Sequence, residues 1–179
     1  MLFSVIPAQA GIQCFLVVRI FGIPVFTGMT TFYKTIIMDK KMKKVLFLCT
    51  GNSARSQMAE ALMRFLGQGD WKARSAGIFP SYVHPLAIRA MEEIGIDISG
   101  QTSKSTDEFL NEEFDYIITL CDHAAAACPN FPGQGKRIDW SFEDPAAAIG
   151  TIEERLVVFR RVRDELKAKV EEFLKSQPS

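Results

Sequence analysis

From Val45 onward, hydrophobic and polar positions follow two alternating periods. Val45-Leu46-Phe47-Leu48 is an unbroken apolar run, the pattern of a short buried strand, and Gly51-Asn52-Ser53 behind it is turn material. Ser56 to Leu66 carries a helical stripe of Met58, Ala61, Leu62, Phe65 and Leu66, and Gly67 ends it. Trp71 to Ala76 reads as a second strand leading into Gly77, with turn material through Ser81. Pro85 suits the first position of a helix, where its missing N–H would have no partner anyway. Leu86, Ile88, Ala90, Met91 and Ile94 form that helix's apolar face, and Gly95 stops it. Ile96-Asp97-Ile98 is a brief extended piece. Ser105 with Glu108 can box the start of a short helix. Tyr116 to Leu120 is a strong strand that ends at Cys121, and Ile138-Asp139-Trp140 is a weaker one. Thr151 with Glu154 is another capping box, opening a long helix to about Lys175. Its stripe is Ile152, Leu156, Phe159, Val162, Leu166, Val170 and Phe173.

Strands alternating with helices predict an α/β fold: three layers, with a four-stranded parallel sheet between helices on both faces. Sites in such sheets lie at the carboxyl ends of strands. Cys49 and Cys121 both occupy such ends, on strands that can be near neighbours.

The chain has 179 residues, enough for one domain with a substantial core. Its formal net charge is zero, so neither nucleic acid nor an anionic membrane is indicated as a partner. The cysteines, Cys14, Cys49, Cys121 and Cys128, are too few and scattered for a secreted disulfide scaffold. In a reducing cytosol such thiols are more often catalytic, redox-active or metal-binding, and a cytoplasmic monomer is expected. Residues 1–38 hold no Asp or Glu and only Arg19 and Lys34 as cations. Pro7, Gly11, Gly22, Pro24, Gly28 and Arg19 interrupt this apolar stretch, which argues against a transmembrane helix. Without a basic n-region it is a poor signal peptide. Ile6-Pro7-Ala8-Gln9-Ala10-Gly11-Ile12 is echoed by Ile23-Pro24-Val25-Phe26-Thr27-Gly28-Met29. It is similar to the Ile-Pro-Ala-Gln-Ala-Gly-Ile-Gln peptides that repeated DNA elements encode. Residues 1–41 are therefore expected to be a read-through leader outside the fold, with Met38 or Met42 the natural start and 42–179 the domain. An interaction or anchoring arm is the competing reading.

The candidate chemistry centres on Cys49-Thr50-Gly51-Asn52-Ser53-Ala54-Arg55-Ser56. A thiol at a strand's end and an arginine at a helix's start bracket an anion site. Successive N–H groups in such a loop form a nest, and the helix N-terminus adds partial positive charge. The same field favours a thiolate at Cys49. Arg55 offers a planar fork for two oxygens of a tetrahedral oxyanion. The bland reading, a structural Cys beside a surface Arg, is weakened by the strand–turn–helix setting.

Cys121 and Cys128 flank Asp122-His123-Ala124-Ala125-Ala126-Ala127. The alanines favour a helix, which would start the two thiols about 10 Å apart. A disulfide would require that helix to unwind or loop out. Pro129, Pro132, Gly133 and Gly135 permit this, so a mobile redox segment is expected. Two buried cysteines on an alanine-rich helix is the bland alternative. A metal site from Cys121, His123 and Cys128 lacks a fourth ligand, and neither a metal nor a cofactor is expected. His123 reads as an exposed helix residue and His84 as a helix-entry residue. Pro145 holds Asp144 out of the helical region. An acid there, over the anion loop, can donate a proton to a leaving oxygen; alone, Asp-Pro is a common turn.

Together, these residues resemble the thioredoxin-coupled arsenate reductases, which share the fold of the low-molecular-weight protein tyrosine phosphatases. The likeness runs from about Lys43 to Phe173 and is carried by Leu48 to Ser56, Ser75-Ala76-Gly77, Cys121, Cys128 and Asp144-Pro145. It implies that Cys49 attacks arsenate, or binds phosphate or sulfate as a mimic. Thr50 to Ser56 bind the oxyanion, with Arg55 stabilising its charge and Asn52 and Ser56 supporting the thiolate. Asp144 protonates the departing oxygen. Cys121 then attacks Cys49 to release arsenite, Cys128 attacks Cys121, and thioredoxin reduces the resulting disulfide. Some relatives bind potassium beside this loop. Asn52, Glu60, Ser75 and Thr102 resemble those ligands, whereas Lys104 stands where an acid would help the ion. The alternatives are a phosphotyrosine phosphatase and a thiol protein that binds arsenic without turnover. Against the phosphatase, Ala54 replaces its usual second loop cysteine, and Ala146 the aromatic residue that usually follows Asp-Pro.

Overall fold

The computed structural model of the protein describes residues 42–121, 131 and 134–177, without the side chain of residue 121. The leader, the alanine-rich segment, His123 and Cys128 lie outside the described residues.

The apolar run becomes β1, Lys43–Cys49, with Val45 to Cys49 all buried. A strand apolar on both faces belongs in the middle of a parallel sheet. Here it lies between β2, Trp71–Gly77, and β3, Tyr116–Cys121, with β4, Lys136–Phe142, beyond β3. The order is β2-β1-β3-β4 and every pairing is parallel. The edge strands are more polar. β4 begins two residues before the apolar signal, with exposed Lys136 and Arg137.

Alternate residues of β1 enter two cores. Val45 and Phe47 pack against α1, Arg55–Leu66, α2, Pro85–Glu92, and α3, Ile152–Lys175. Leu46 and Leu48 face Ala76, Phe114, Ile117, Phe131 and Phe109, the last from a 3-10 helix at Thr106–Phe109. Helical elements thus cover both faces, with the longer three on one side.

The local start signals operate as read. Ser105/Glu108 and Thr151/Glu154 both form reciprocal capping boxes, and His84 Nδ1 caps α2 by accepting from the Leu86 N–H at 3.1 Å. A cap contributes about 1 kcal/mol. Each buried apolar side chain contributes about 1.5–3 kcal/mol. The stripe from Leu156 to Phe173 therefore holds α3 in place, while the box fixes where it begins. Ile152, within the first turn, precedes contact with the core and is 61% exposed. Phe65 is exposed as well. α1 is buried from Arg55 to Met63, Ala61 included, and its last turn, with Phe65, reaches solvent. Arg163 is buried and fastens α2 to α3, donating to the Ala90 carbonyl at 2.7 Å.

The two ends of the sheet differ. Trp71 and Tyr116, at the amino ends of β2 and β3, interlock with Phe173 and, through it, Trp140, with ring centroids 5.1–5.7 Å apart. The carboxyl ends of β1 and β2 meet in a close backbone approach. A Cβ on Gly77 would lie 2.7 Å from the Asn52 nitrogen and 2.8 Å from the Thr50 carbonyl oxygen. Gly77→Ala should therefore cost about 1–3 kcal/mol in urea unfolding. At Gly100 an added methyl would meet only open space, and Ala there should be accepted within about 0.5 kcal/mol; equal costs would contradict the close-approach argument.

Candidate active site

Residues 50–54 join β1 to α1, and their carbonyls are tied outward. Thr50 O accepts from Phe79 N at 2.9 Å, Gly51 O from Ser81 N at 3.2 Å, and Ser53 O from His84 N at 2.9 Å. Asn52 O accepts from Gln57 Nε2 at 3.0 Å. No described peptide is cis. A trans peptide carries its N–H opposite its carbonyl, so the N–H groups of Gly51, Asn52, Ser53 and Ala54 turn to the concave side. The loop thus has the form of a concave run of N–H groups.

Asn52 makes that curvature possible. Its φ is +44°, in the left-handed region where asparagine is better tolerated than most residues. Its side chain is fully buried: Nδ2 donates to Ser56 Oγ and Ser75 Oγ, both at 2.9 Å. Oδ1 accepts from Lys104 N at 2.7 Å and Gln57 Nε2 at 2.9 Å.

Cys49 is buried at the nest's floor. Its sulfur accepts from Asn52 N at 3.1 Å and lies 2.8 Å from Ser56 Oγ. Because Ser56 Oγ already accepts from Asn52, its own proton is available to the sulfur. Two donors and the N-terminus of α1 thus favour the charged form of the sulfur.

Arg55, also buried, donates through NH1 to Phe142 O at 3.0 Å and Leu120 O at 3.4 Å. These carbonyls fix the guanidinium plane over the loop. NH2 lies 3.3 Å from Asp144 Oδ2. Asp144 caps a short 3-10 helix, Pro145–Ala147, accepting from Ala146 N at 3.1 Å, and its side chain is half-exposed.

Cys49, Thr50, Gly51, Ser53, Ala54, Arg55 and Asp144 share one cavity of about 420 Å³. Asn52 and Ser56 lie buried behind it as supports. Cys121 ends β3, the strand beside β1, and pairs in register with Phe142. Tyr82, His84, Ala146 and Arg155 complete the wall. His84 was legible only as a helix entry, and no sequence signal singled out Arg155. Burial, then the Arg155 guanidinium, hold the His84 imidazole below its ordinary value, against the raising effect of Asp144.

The groups resembling potassium ligands do not fit a further cation. Glu60 pairs with Arg64 and Lys104 and accepts from Ser75 Oγ. Thr102 O accepts from Lys104 Nζ and Gln57 Nε2, each at 2.9 Å. The Lys104 ammonium supplies positive charge there instead. Among the described residues, no group of three or more His, Cys, Asp or Glu could hold a metal.

The family model for low molecular weight phosphotyrosine protein phosphatase matches residues 44–177. An arsenate reductase from Halalkalibacterium halodurans is 51% identical over 137 residues, covering 76% of this chain and 96% of its own. A solved arsenate reductase in its phosphate-binding state superposes with a TM-score of 0.65 at 43% identity, covering 75% of this chain and 98% of its own. A thioredoxin-dependent arsenate reductase from Corynebacterium glutamicum gives a TM-score of 0.58 at 28% identity, covering 80% and 65%. Likeness in sequence and in fold both span the domain that carries the nest, and the chain belongs to the low molecular weight phosphotyrosine protein phosphatase family.

Proposed function

We propose that this protein is a cytoplasmic enzyme that reduces arsenate to arsenite, with thioredoxin as its reductant. The observation that carries the reading is the Cys49 sulfur, held by two donors on the floor of an N–H nest, one strand from Cys121. The relatives' activity and the sequence likeness support it. No described helix is long and apolar enough to cross a membrane.

The Cys49 thiolate attacks arsenic in the nest, and an arsenate oxygen leaves as water. Arg55 and the loop N–H groups hold the charge that builds on the remaining oxygens. Asp144 supplies the proton. Before substrate binds, its carboxylate pairs with Arg55. An arriving dianion takes over that guanidinium and frees Asp144 to act as general acid toward the departing oxygen. The Cys121 thiolate then attacks Cys49 Sγ, and the sulfur–arsenic bond breaks with its electron pair staying on arsenic. Two thiols are oxidised to one disulfide while As(V) becomes As(III). Cys128 attacks Cys121 and releases the Cys49 thiolate, and a dithiol of thioredoxin reduces the Cys121–Cys128 disulfide. A monomer suffices for every step.

In a coupled assay with arsenate, thioredoxin, thioredoxin reductase and NADPH, Cys49→Ser should abolish turnover. Cys121→Ser should also abolish it, whereas Cys128→Ser should retain a single turnover. Normal steady-state rates in both relay variants would overturn the relay. Efficient hydrolysis of p-nitrophenyl phosphate without arsenate reduction would establish the phosphatase reading. Stoichiometric arsenite binding without NADPH consumption would establish the binding-protein reading.

Ser56→Ala removes one charge-assisted hydrogen bond to the sulfur, worth about 1.5–3 kcal/mol. The pH profile of Cys49 alkylation by iodoacetamide should move upward by about one to two units. An unmoved profile would remove Ser56 from thiolate support.

A further inference from the structure

The oxyanion nest fills only part of its cavity. The same cavity is also lined by Arg155, from the first turn of α3, and His84, from the cap of α2, with Arg155 NH2 3.3 Å from His84 Nε2. This contact joins two donors. His84 Nδ1 accepts from the Leu86 N–H, so the neutral ring carries its proton on Nε2. A guanidinium has no acceptor to offer it. Arg155 Nε is buried and has no hydrogen-bond partner among the described residues. Arg64, Arg89, Arg160, Arg161 and Arg163 each face a carboxylate; Arg155, like Arg74 and Arg137, has no ion pair among the described residues, and of these three Arg155 is the one that lines this cavity. The cation nearest the nest, Arg55, is already engaged by Asp144.

Two convergent donors without an acceptor, on the wall of an anion-binding cavity, mark a place for an oxygen that bears negative charge. We propose that Arg155 and His84 form an outer station for the tetrahedral oxyanion, which holds it at the cavity wall before it displaces Asp144 and settles over Cys49. The inference rests on the arsenate reading for its substrate, but the station itself would serve any tetrahedral dianion. Arg155 is the positioning and steering residue of this station: its charge raises the local anion concentration at a site whose inner cation is occupied. Once the oxyanion sits on Cys49, Arg155 takes no part in breaking or forming bonds.

The test compares wild type, Arg155→Met, Arg155→Lys and His84→Asn, the asparagine keeping a helix cap while removing the Nε2 donor. In the coupled assay, Arg155→Met should raise KM for arsenate about five- to tenfold, with kcat changed less than about twofold, and should flatten the salt dependence of kcat/KM. Arg155→Lys should recover most of the loss, and His84→Asn should raise KM by about two- to threefold. Independently of arsenate turnover, the inorganic phosphate concentration that half-protects Cys49 from iodoacetamide should rise in the same order across the variants. That second readout decides the proposal even if the wild type reduces no arsenate. Unchanged phosphate protection in Arg155→Met, or a fall in kcat as large as the fall in kcat/KM, would overturn it.

Discussion

The buried amide of Asn52 is the contact on which the rest of the site depends. It holds one residue in a left-handed conformation that costs about 1 kcal/mol or more outside glycine. Four hydrogen bonds offset that cost, from Ser56, Ser75, Lys104 and Gln57. Two partners belong to α1, one to β2 and one to the segment after α2, so the loop's shape is tied to three parts of the fold. The N–H groups are aimed in the free protein, which on the proposed reading lowers the ordering cost of binding an anion.

Behind this hub lies a second constraint. Glu60 is almost fully buried, and an isolated carboxylate there would be strongly unfavourable. Arg64, Lys104 and the Ser75 hydroxyl satisfy it. Ser75 also accepts from Asn52, and Asn52 from Lys104, so the charge compensation and the loop geometry share atoms. A lysine rather than a diffusible ion carries the positive charge, which makes the support of the nest part of the covalent chain.

Much of this architecture was legible from local sequence. Apolar runs placed the four strands, Pro85 and the two capping boxes placed the helix starts, and the Cys49–Arg55 spacing placed the nest. Phe65 and Ile152 depart from their stripes because periodicity gives a stripe but not the rotation or reach of the surface it meets. The extra length of β4 was hidden because an edge strand tolerates Lys136 and Arg137. Long-range partners were harder still. His84 and Arg155 lie 71 positions apart, and no periodic signal announces that two helix starts converge on one wall. Cys128, legible as a thiol with a redox role, lies outside the described residues.

The Arg55–Asp144 pair gives the cavity a threshold. A guanidinium that already has a carboxylate gains little by exchanging it for chloride or another singly charged ion. A doubly charged tetrahedron brings more charge and more acceptor oxygens than the carboxylate it displaces. On the proposed reading, monovalent anions are disfavoured by an internal competitor rather than by size, and the Arg55–Asp144 pair keeps these charges matched in the free protein.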